Sequence, residues 1–316
     1  MTRPTGAVGY RAVLRLPGAP RAFAAATLGR LSYGTSSLSL LLAVQGATGS
    51  YLVAGTALGV FGVLSVLMPA KSRVIDRFGQ RRVVPVLATG FALALLVMAA
   101  CSAAGVTRGS VYVSLAAAVG LVAPPLGPSM RALWAALTPE PAARQRAYSL
   151  DGVVEDTLFA VGPLLAGLVV AAADASVALA VTAALNVVGA TAMARSPAAR
   201  LHAAPVAART GGPLIGPFQS RRFTLLIVAL FGVGLGSGPL DLAVVARAQG
   251  AGDAGAAGYV LAAMAVGSAI GGLLWGQLTH RARTSTQLGV LVAVTALGFA
   301  LAAATPSTPT WPWCSA

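Results

Sequence analysis

Five ionisable residues lie inside long apolar stretches of this sequence. They are Arg30, Arg131, Glu155, Asp156 and Asp241. An ionisable side chain in an apolar medium is costly, and such residues usually line a cavity, pair with one another or relay protons. We therefore treat all five as candidate cavity-lining or coupling residues.

The elements that hold these residues are helices of membrane-spanning length. The chain has 316 residues, of which 57% are hydrophobic and only 9% charged, and its mean hydropathy is +0.80. A soluble domain carries about 25% charged residues, so this chain lacks the polar surface of a water-soluble globule. A bilayer core about 30 Å thick requires about 20 apolar residues per helix. Nine such runs predict an all-α polytopic membrane protein: 22–44, 51–70, 83–104, 110–137, 152–173, 175–194, 223–246, 256–279 and 286–304.

The basic residues follow the segments between these runs. All 22 Lys and Arg residues except Arg30, Arg108, Arg131 and Arg247 fall on one side if the N-terminus is cytoplasmic. This distribution is the positive-inside pattern of a multi-pass protein. It predicts a plasma-membrane location with a cytoplasmic N-terminus and, for nine spans, an external C-terminus. Because topology accounts for the net charge of +14, nucleic acid is not expected as a partner.

The depths of the charged residues predict a contact between neighbouring helices. Arg131 lies near the inner end of the fourth run, and Glu155 and Asp156 lie at a similar depth in the fifth. An Arg131–Glu155 or Arg131–Asp156 pair is therefore expected. The alternative is that Asp151, Glu155 and Asp156 simply favour a helix N-terminus. Arg30 either extends its guanidinium to the membrane surface or faces a central cavity.

Asp241 lies in the seventh run, directly after a segment that disfavours a regular helix. Gly236, Gly238 and Pro239 would loosen the backbone there and admit water or substrate. This combination favours a proton-coupling or cation-binding site. The alternative is that the span ends near Gly238 and leaves Asp241 at the membrane interface.

The segment between the second and third runs carries a recognisable motif. It reads Ser72-Arg-Val-Ile-Asp-Arg-Phe-Gly-Gln-Arg-Arg82, and we expect a basic loop in which Gly79 makes a tight turn. The motif resembles the G-x-x-x-D-R-x-G-R-R loop of the major facilitator superfamily, with Ser72 and Gln80 as departures. The resemblance implies a cytoplasmic gate motif formed by Asp76, Arg77, Gly79, Arg81 and Arg82.

A second motif lies in the fifth run. Gly162, Pro163 and Gly167 resemble the G-P-x-x-G-G element of the drug/proton antiporters in that family, although Ala166 replaces one glycine. The resemblance implies an antiporter-like branch. The alternative interpretation is a kink with close helix packing, without an antiporter function.

The runs predict two unequal halves. We expect a six-helix N-terminal bundle at 1–194, a cytoplasmic linker at 195–222, a partial three-helix bundle at 223–304 and a proline-rich tail at 305–316. Short similarities at offsets of about 202–204 residues indicate a repeat of the kind found in two-halved transporters. The resembled family has twelve spans, so we expect a truncated or frameshifted product or a natural short form.

The resemblance implies a secondary transporter that moves an unidentified small molecule by alternating access, with proton-coupled efflux as the specific form. The alternative is a non-transporting remnant or a scaffold. No H-E-x-x-H, P-loop or paired-cysteine motif occurs, so we expect neither an enzyme nor a metal or other cofactor. The expected partners are the lipid bilayer, the small-molecule substrate and protons.

Overall fold

All the regular secondary structure in the described residues is helical. The structure, a computed structural model, describes residues 9–201, 220–221, 224–225, 227–229, 231–232, 254–278 and 284–304. The absence of strands from these ranges and the presence of several apolar helices confirm the predicted all-α membrane fold. Asp241 and most of the predicted seventh run lie outside the described residues.

Twelve helices are given labels here, in chain order. They are α1 (Tyr10–Leu14), α2 (Ala19–Thr48), α3 (Tyr51–Ser65), α4 (Met68–Phe78), α5 (Gln80–Ala103), α6 (Gly109–Val122), α7 (Leu126–Leu137), α8 (Pro141–Ala172), α9 (Ala175–Ala194), α10 (Pro197–Leu201), α11 (Ala254–Gln277) and α12 (Thr284–Ala304).

Four segments in the described part of the chain are long and apolar enough to cross a membrane. They are α5, α6 with α7, α8 and α9, and a fifth is added if the bent pair α3–α4 forms one span. The 30-residue α2 is long enough but falls outside this group. Polar residues lower the hydropathy of α2. These residues are tolerated in the span because they are buried inside the bundle and do not face lipid.

Two predicted spans are broken, which corrects the expectation of continuous helices at 51–70 and 110–137. The first bends by 44° between α3 and α4. The second is interrupted at Ala123–Pro125, between α6 and α7. Pro124 and Pro125 have no backbone N–H, so they cannot donate the hydrogen bonds that would continue the helix.

The predicted basic loop is also mostly helical. Residues 72–78 form the second half of α4, and α5 begins at Gln80, so Gly79 alone separates the two helices. Gly79 has a φ of +86°, in the region that favours glycine, so the predicted tight turn is present.

The described helices fall into two compact units. The first comprises α1 to α10 together with residues 269–277 of α11, and the second contains the remaining described residues. Within the first unit, α2 packs mainly against α8 and α9. A Cβ at Gly162 of α8 would overlap the backbone of Gly34, and one at Gly189 of α9 would overlap that of Gly29. These glycines therefore permit the close approach of both helices to α2.

Two apolar clusters flank the polar residues of α2. One includes Trp134, Leu126, Met130 and Phe23, and the other includes Leu40, Phe91, Leu95 and Tyr112. The outer surface of α8 exposes large apolar side chains, among them Phe159, Leu164 and Leu168. An apolar outer surface with buried polar residues is the arrangement expected of a helix bundle in lipid.

Candidate functional site: a buried ion network

Four charged side chains from three helices meet in the first unit. Arg30 of α2 donates from Nη2 to Oδ1 of Asp151 on α8, at 2.9 Å. The Nε of Arg131 on α7 lies 3.3 Å from the other oxygen of Asp151. The Nη2 of Arg131 also donates to Oε2 of Glu155 on α8. Asp151 therefore bridges the two arginines, and Glu155 completes a network without net charge.

The network has a buried end and an accessible end. The side chains of Arg30 and Asp151 are 1% and 0% exposed, whereas those of Arg131 and Glu155 are 42% and 26% exposed. Removing ions from water is unfavourable unless each charge has a well-placed partner. Each charge has a partner of opposite sign, but Nε and Nη1 of Arg30 and Oδ2 of Asp151 have no hydrogen-bond partner among the described residues. Arg131 and Glu155 are the two members of the network in contact with solvent.

The geometry of α8 places both carboxylates on one face. Asp151 and Glu155 are four residues apart in a continuous helix, so their side chains project in the same direction. On α7, a Cβ at Gly127 would lie 3.3 Å from Oε1 of Glu155, so the missing side chain leaves room for that carboxylate.

The structure confirms the predicted contact between Arg131 and Glu155. The alternative, in which the acidic residues favour a helix N-terminus, is wrong. The first turn of α8 contains no acidic residue, and Asp151 follows the helix start at Pro141 by about ten residues. Asp156 is exposed, and the ion pairs of Arg131 are to Asp151 and Glu155.

Arg30 adopts neither of its predicted arrangements. Its side chain is fully buried, so it does not extend to the membrane surface, and it is held by Asp151 rather than facing an open cavity. The guanidinium carbon lies 6.0 Å from the centre of the Phe23 ring, which in turn packs against Trp134 at 5.4 Å between ring centroids. Asp151 is not recognisable from the sequence as the partner of Arg30, because 121 residues separate them.

A buried polar contact between α2 and α9 was not predicted from the sequence. The Nδ2 of Asn186 donates to Oγ of Ser32 at 2.8 Å, and the hydroxyls of Thr35 and Thr182 lie 2.8 Å apart. All four side chains are buried. A detectable signal was present: the Ser and Thr residues of α2 recur at helical spacing along one face, at 32, 35, 36 and 39.

The motif residues lie apart from this network. Asp76, Arg77, Arg81 and Arg82 are exposed around the Gly79 turn, and among the described residues no ion pair joins them. Arg77 lies over the ring of Phe78, with 5.3 Å from its guanidinium carbon to the ring centre.

The second motif makes a packing contact. Gly162 lies against Gly34, which is the close packing of the alternative interpretation, and α8 continues through Pro163 to Ala172. A Cβ at Gly167 would meet only the Leu38 side chain, at 4.0 Å. Within the described ranges, no three His, Cys, Asp or Glu side chains are placed to hold a metal ion.

A comparison with protein families decides the broader identity. The family model of the Major Facilitator Superfamily matches residues 22–316, which is nearly the whole chain. The chain belongs to the major facilitator superfamily. No curated protein and no solved structure matches it.

Membership of the major facilitator superfamily assigns the chain to membrane transporters of small molecules, a class distinct from enzymes. It is a multi-pass membrane protein, in agreement with its apolar helices. Within this class, the Arg30–Asp151–Arg131–Glu155 network is the candidate functional site of the first unit.

Proposed function

We propose that this protein is a secondary active transporter that couples the efflux of a small molecule to proton entry by alternating access. The observation that carries this proposal is the ion network, in which the carboxylate of Glu155 is partly accessible while Asp151 is fully buried. A proton carrier needs an accessible group whose charge is felt by a buried two-state element. Glu155 is partly accessible, and its partner Arg131 also contacts the buried Asp151.

Glu155 is the proton acceptor in this proposal. When its carboxylate binds a proton, it becomes a neutral carboxylic acid and the network loses one of its two negative charges. Asp151, at 3.3 Å, is then the one negatively charged partner of Arg131 in the network. The network acquires a net positive charge in an apolar environment, which is unfavourable. Protonation therefore weakens the attachment of α7 to α8 at this level.

Arg30 and Asp151 have a different role, that of a fixed anchor between α2 and α8. Both side chains are out of contact with solvent. Their hydrogen bond of 2.9 Å keeps one oxygen of Asp151 occupied. The other oxygen remains available to Arg131, and this arrangement lets the exposed pair change partners while the buried pair stays in place.

The orientation and the remaining candidate residues complete the proposal. We place the N-terminus and the 195–222 segment in the cytoplasm, in a plasma membrane, because the positive-inside rule favours this orientation. The turn motif of Asp76, Arg77, Gly79, Arg81 and Arg82 then lies at the cytoplasmic side, where it acts as a gate.

Asp241 and Asp156 are the other candidate coupling acids. Asp241 lies outside the described residues, and its support is the preceding glycine- and proline-containing segment of the sequence. Asp156 is next to Glu155 but is exposed. The drug/proton antiporter branch, supported by Gly162, Pro163 and Gly167, predicts an apolar or weakly cationic substrate.

The test uses the full chain reconstituted in liposomes that contain a pH-sensitive dye, with ethidium as the transported probe. The wild type should move protons when ethidium is added, and Glu155→Gln should abolish this coupling. Glu140→Gln is the matched control, because Glu140 is an exposed residue before the same helix, without a side-chain capping bond. Asp241→Asn and Asp156→Asn are measured in parallel to rank the acids. Ethidium-driven proton movement that is unchanged in Glu155→Gln would rule out Glu155 as the coupling group.

A further inference from the structure

The prolines at the break between α6 and α7 remove backbone donors opposite three carbonyls, those of Gly120, Leu121 and Pro124, and side chains from other helices reach the first and the last of these. In a continuous helix, the N–H of residue 124 would donate to the carbonyl of Gly120, and that of residue 128 to the carbonyl of Pro124. Both donor positions are prolines, which have no N–H. A carbonyl without a donor is unfavourable in an apolar interior, so other groups must supply the hydrogen bonds.

Lys71 supplies the first of these bonds. Its Nζ donates to the carbonyl oxygen of Gly120 at 3.2 Å. Lys71 belongs to α4, is only 7% exposed and is the one lysine of the sequence. A lysine beside the basic turn would be expected in solvent if it served only to orient the protein. Its burial against the carbonyl that lost a donor to Pro124 indicates a different role.

Tyr33 supplies a donor at the second position. Its hydroxyl donates to the carbonyl oxygen of Pro124, which also accepts from the N–H of Leu126 at 2.9 Å. The Tyr33 ring is held in place by an edge-on contact with Phe91, at 6.5 Å between ring centroids. Side chains from two other helices, α4 and α2, therefore donate hydrogen bonds to carbonyls at the break.

The position of the break determines the direction of Arg131. Helix α7 begins at Leu126, and Arg131 follows in its second turn. Each residue of an α-helix rotates the side-chain direction by about 100°. A rotation of α7 about its axis by one residue position would therefore turn Arg131 away from Asp151 and Glu155.

We propose that Lys71 and Tyr33 are positioning residues, which replace the donors that Pro124 and Pro128 remove and so fix the start of α7 and the direction of Arg131. This role is independent of the proposed proton coupling, because it concerns the geometry of the network and not its titration. It makes Lys71 on α4 a partner of Pro124, which lies in the break between α6 and α7.

The test is a rescue experiment on the purified full chain in detergent, with thermal stability and amide hydrogen exchange as readouts. Lys71→Met removes the donor and should lower the melting temperature and increase exchange tenfold or more between Leu126 and Arg131. Lys71→Arg keeps a donor and should retain most of the protection. Addition of Pro124→Ala to Lys71→Met restores a backbone N–H opposite Gly120 and should recover the melting temperature.

The matched control is Lys71→Met with Pro85→Ala. Pro85 lies inside α5, so its replacement also restores a backbone N–H, but opposite a different carbonyl. This control should give no recovery of the protection between Leu126 and Arg131, whatever it does to the overall melting temperature. The parallel pair is Tyr33→Phe with and without Pro128→Ala, for which a smaller increase in exchange is expected because Leu126 also donates to Pro124.

Three results would overturn the proposal. One is a Lys71→Met variant as protected between Leu126 and Arg131 as the wild type. Another is equal recovery by Pro85→Ala and Pro124→Ala, which would indicate a general effect of removing proline. The last is no recovery by Pro124→Ala. If Lys71→Met alone does not fold, the yield of monodisperse protein with each second substitution provides the same comparison.

Discussion

Arg30 and Asp151 are separated by 121 residues in the sequence, yet a 2.9 Å hydrogen bond joins them in a region closed to solvent. Their helices approach closely because Gly34, one turn beyond Arg30, packs against Gly162 on α8. The ion pair and the glycine contact therefore depend on each other. The glycines set the distance between α2 and α8, and the ion pair satisfies the charges enclosed by that contact.

Removal of one member of this pair should destabilise the protein strongly. Arg30→Leu leaves Asp151 without its buried partner, and Asp151→Leu leaves Arg30 likewise, at a cost of about 3–5 kcal/mol each. The double variant should be less destabilised than the sum of the single variants, because it leaves fewer buried charges unpaired. Thermal unfolding of the four proteins in detergent measures this coupling, and simple additivity would contradict a direct interaction.

A methyl group at the contact between α2 and α9 should also destabilise the protein. Gly189→Ala places a Cβ against the backbone of Gly29, which cannot move aside as a flexible side chain would, and should cost about 1–3 kcal/mol. Gly59→Ala on α3 is the matched control, since a Cβ there meets nothing within 4 Å. The control should be neutral or slightly stabilising, because alanine favours a helix over glycine. Similar melting temperatures for the two variants would argue against close packing at Gly189.

The start of α9 should respond to acid through Asp174. This exposed carboxylate lies between α8 and α9, and hydrogen bonds from the Ser176 hydroxyl and from the N–H groups of Val177 and Ser176 lower its pKa below the ordinary value of 3.8. Because the folded-state pKa is lowered, the stabilisation is complete above the ordinary pKa. It is lost as the pH falls through the folded-state value.

Hydrogen exchange at Ser176–Leu179, corrected for the intrinsic pH dependence of exchange, measures this effect. Protection in the wild type should decrease below about pH 3.8, the ordinary value. Asp174→Asn keeps a capping oxygen but cannot titrate, so its protection should not change with pH. Asp174→Ala should lose protection at every pH. An acid response in Asp174→Asn equal to that of the wild type would assign the effect to another group.

The membrane orientation can be checked with reporter fusions between the predicted spans. Fusions after Gly79 and after residue 210 should report a cytoplasmic location, and fusions after Gly105 and after Asp174 should report an external one. Paired phosphatase and fluorescent-protein reporters at each point give opposite signals. The same signal after Gly79 and Gly105 would contradict the crossing by α5.

Much of the helical framework is determined by local sequence. The run at 175–194 coincides with α9, and the run at 83–104 differs from α5 by only a few residues. A span is recognisable from sequence because its transfer into lipid depends on the summed hydropathy of about 20 consecutive residues. The turn at Gly79 was also predictable from local sequence, because the positive φ that it requires favours glycine at that single position.

The helix breaks were not predicted, although the prolines at the second break are plain in the sequence. Pro124, Pro125 and Pro128 lie in a run whose apolar composition continues on both sides, so hydropathy alone indicated one span. Whether a proline bends, breaks or is tolerated within a helix depends on donors from neighbouring helices, such as Lys71 and Tyr33. Pro163, by contrast, lies inside the continuous α8, so a proline in an apolar run does not by itself predict a break.

The sequence by itself determined that this chain is an all-α membrane protein, that Arg30 lies deep inside an apolar stretch, and that Arg131 has a carboxylate partner at its own depth on the next helix. Only the tertiary structure decided that Arg30 pairs with Asp151, that Asp151 bridges two arginines, and that Ser32 and Thr35 face α9. Depth in the membrane follows from counting residues along one helix. Pairing between distant helices depends on their relative rotation and distance, which are set by close contacts such as Gly29 with Gly189 and by no property of either helix alone.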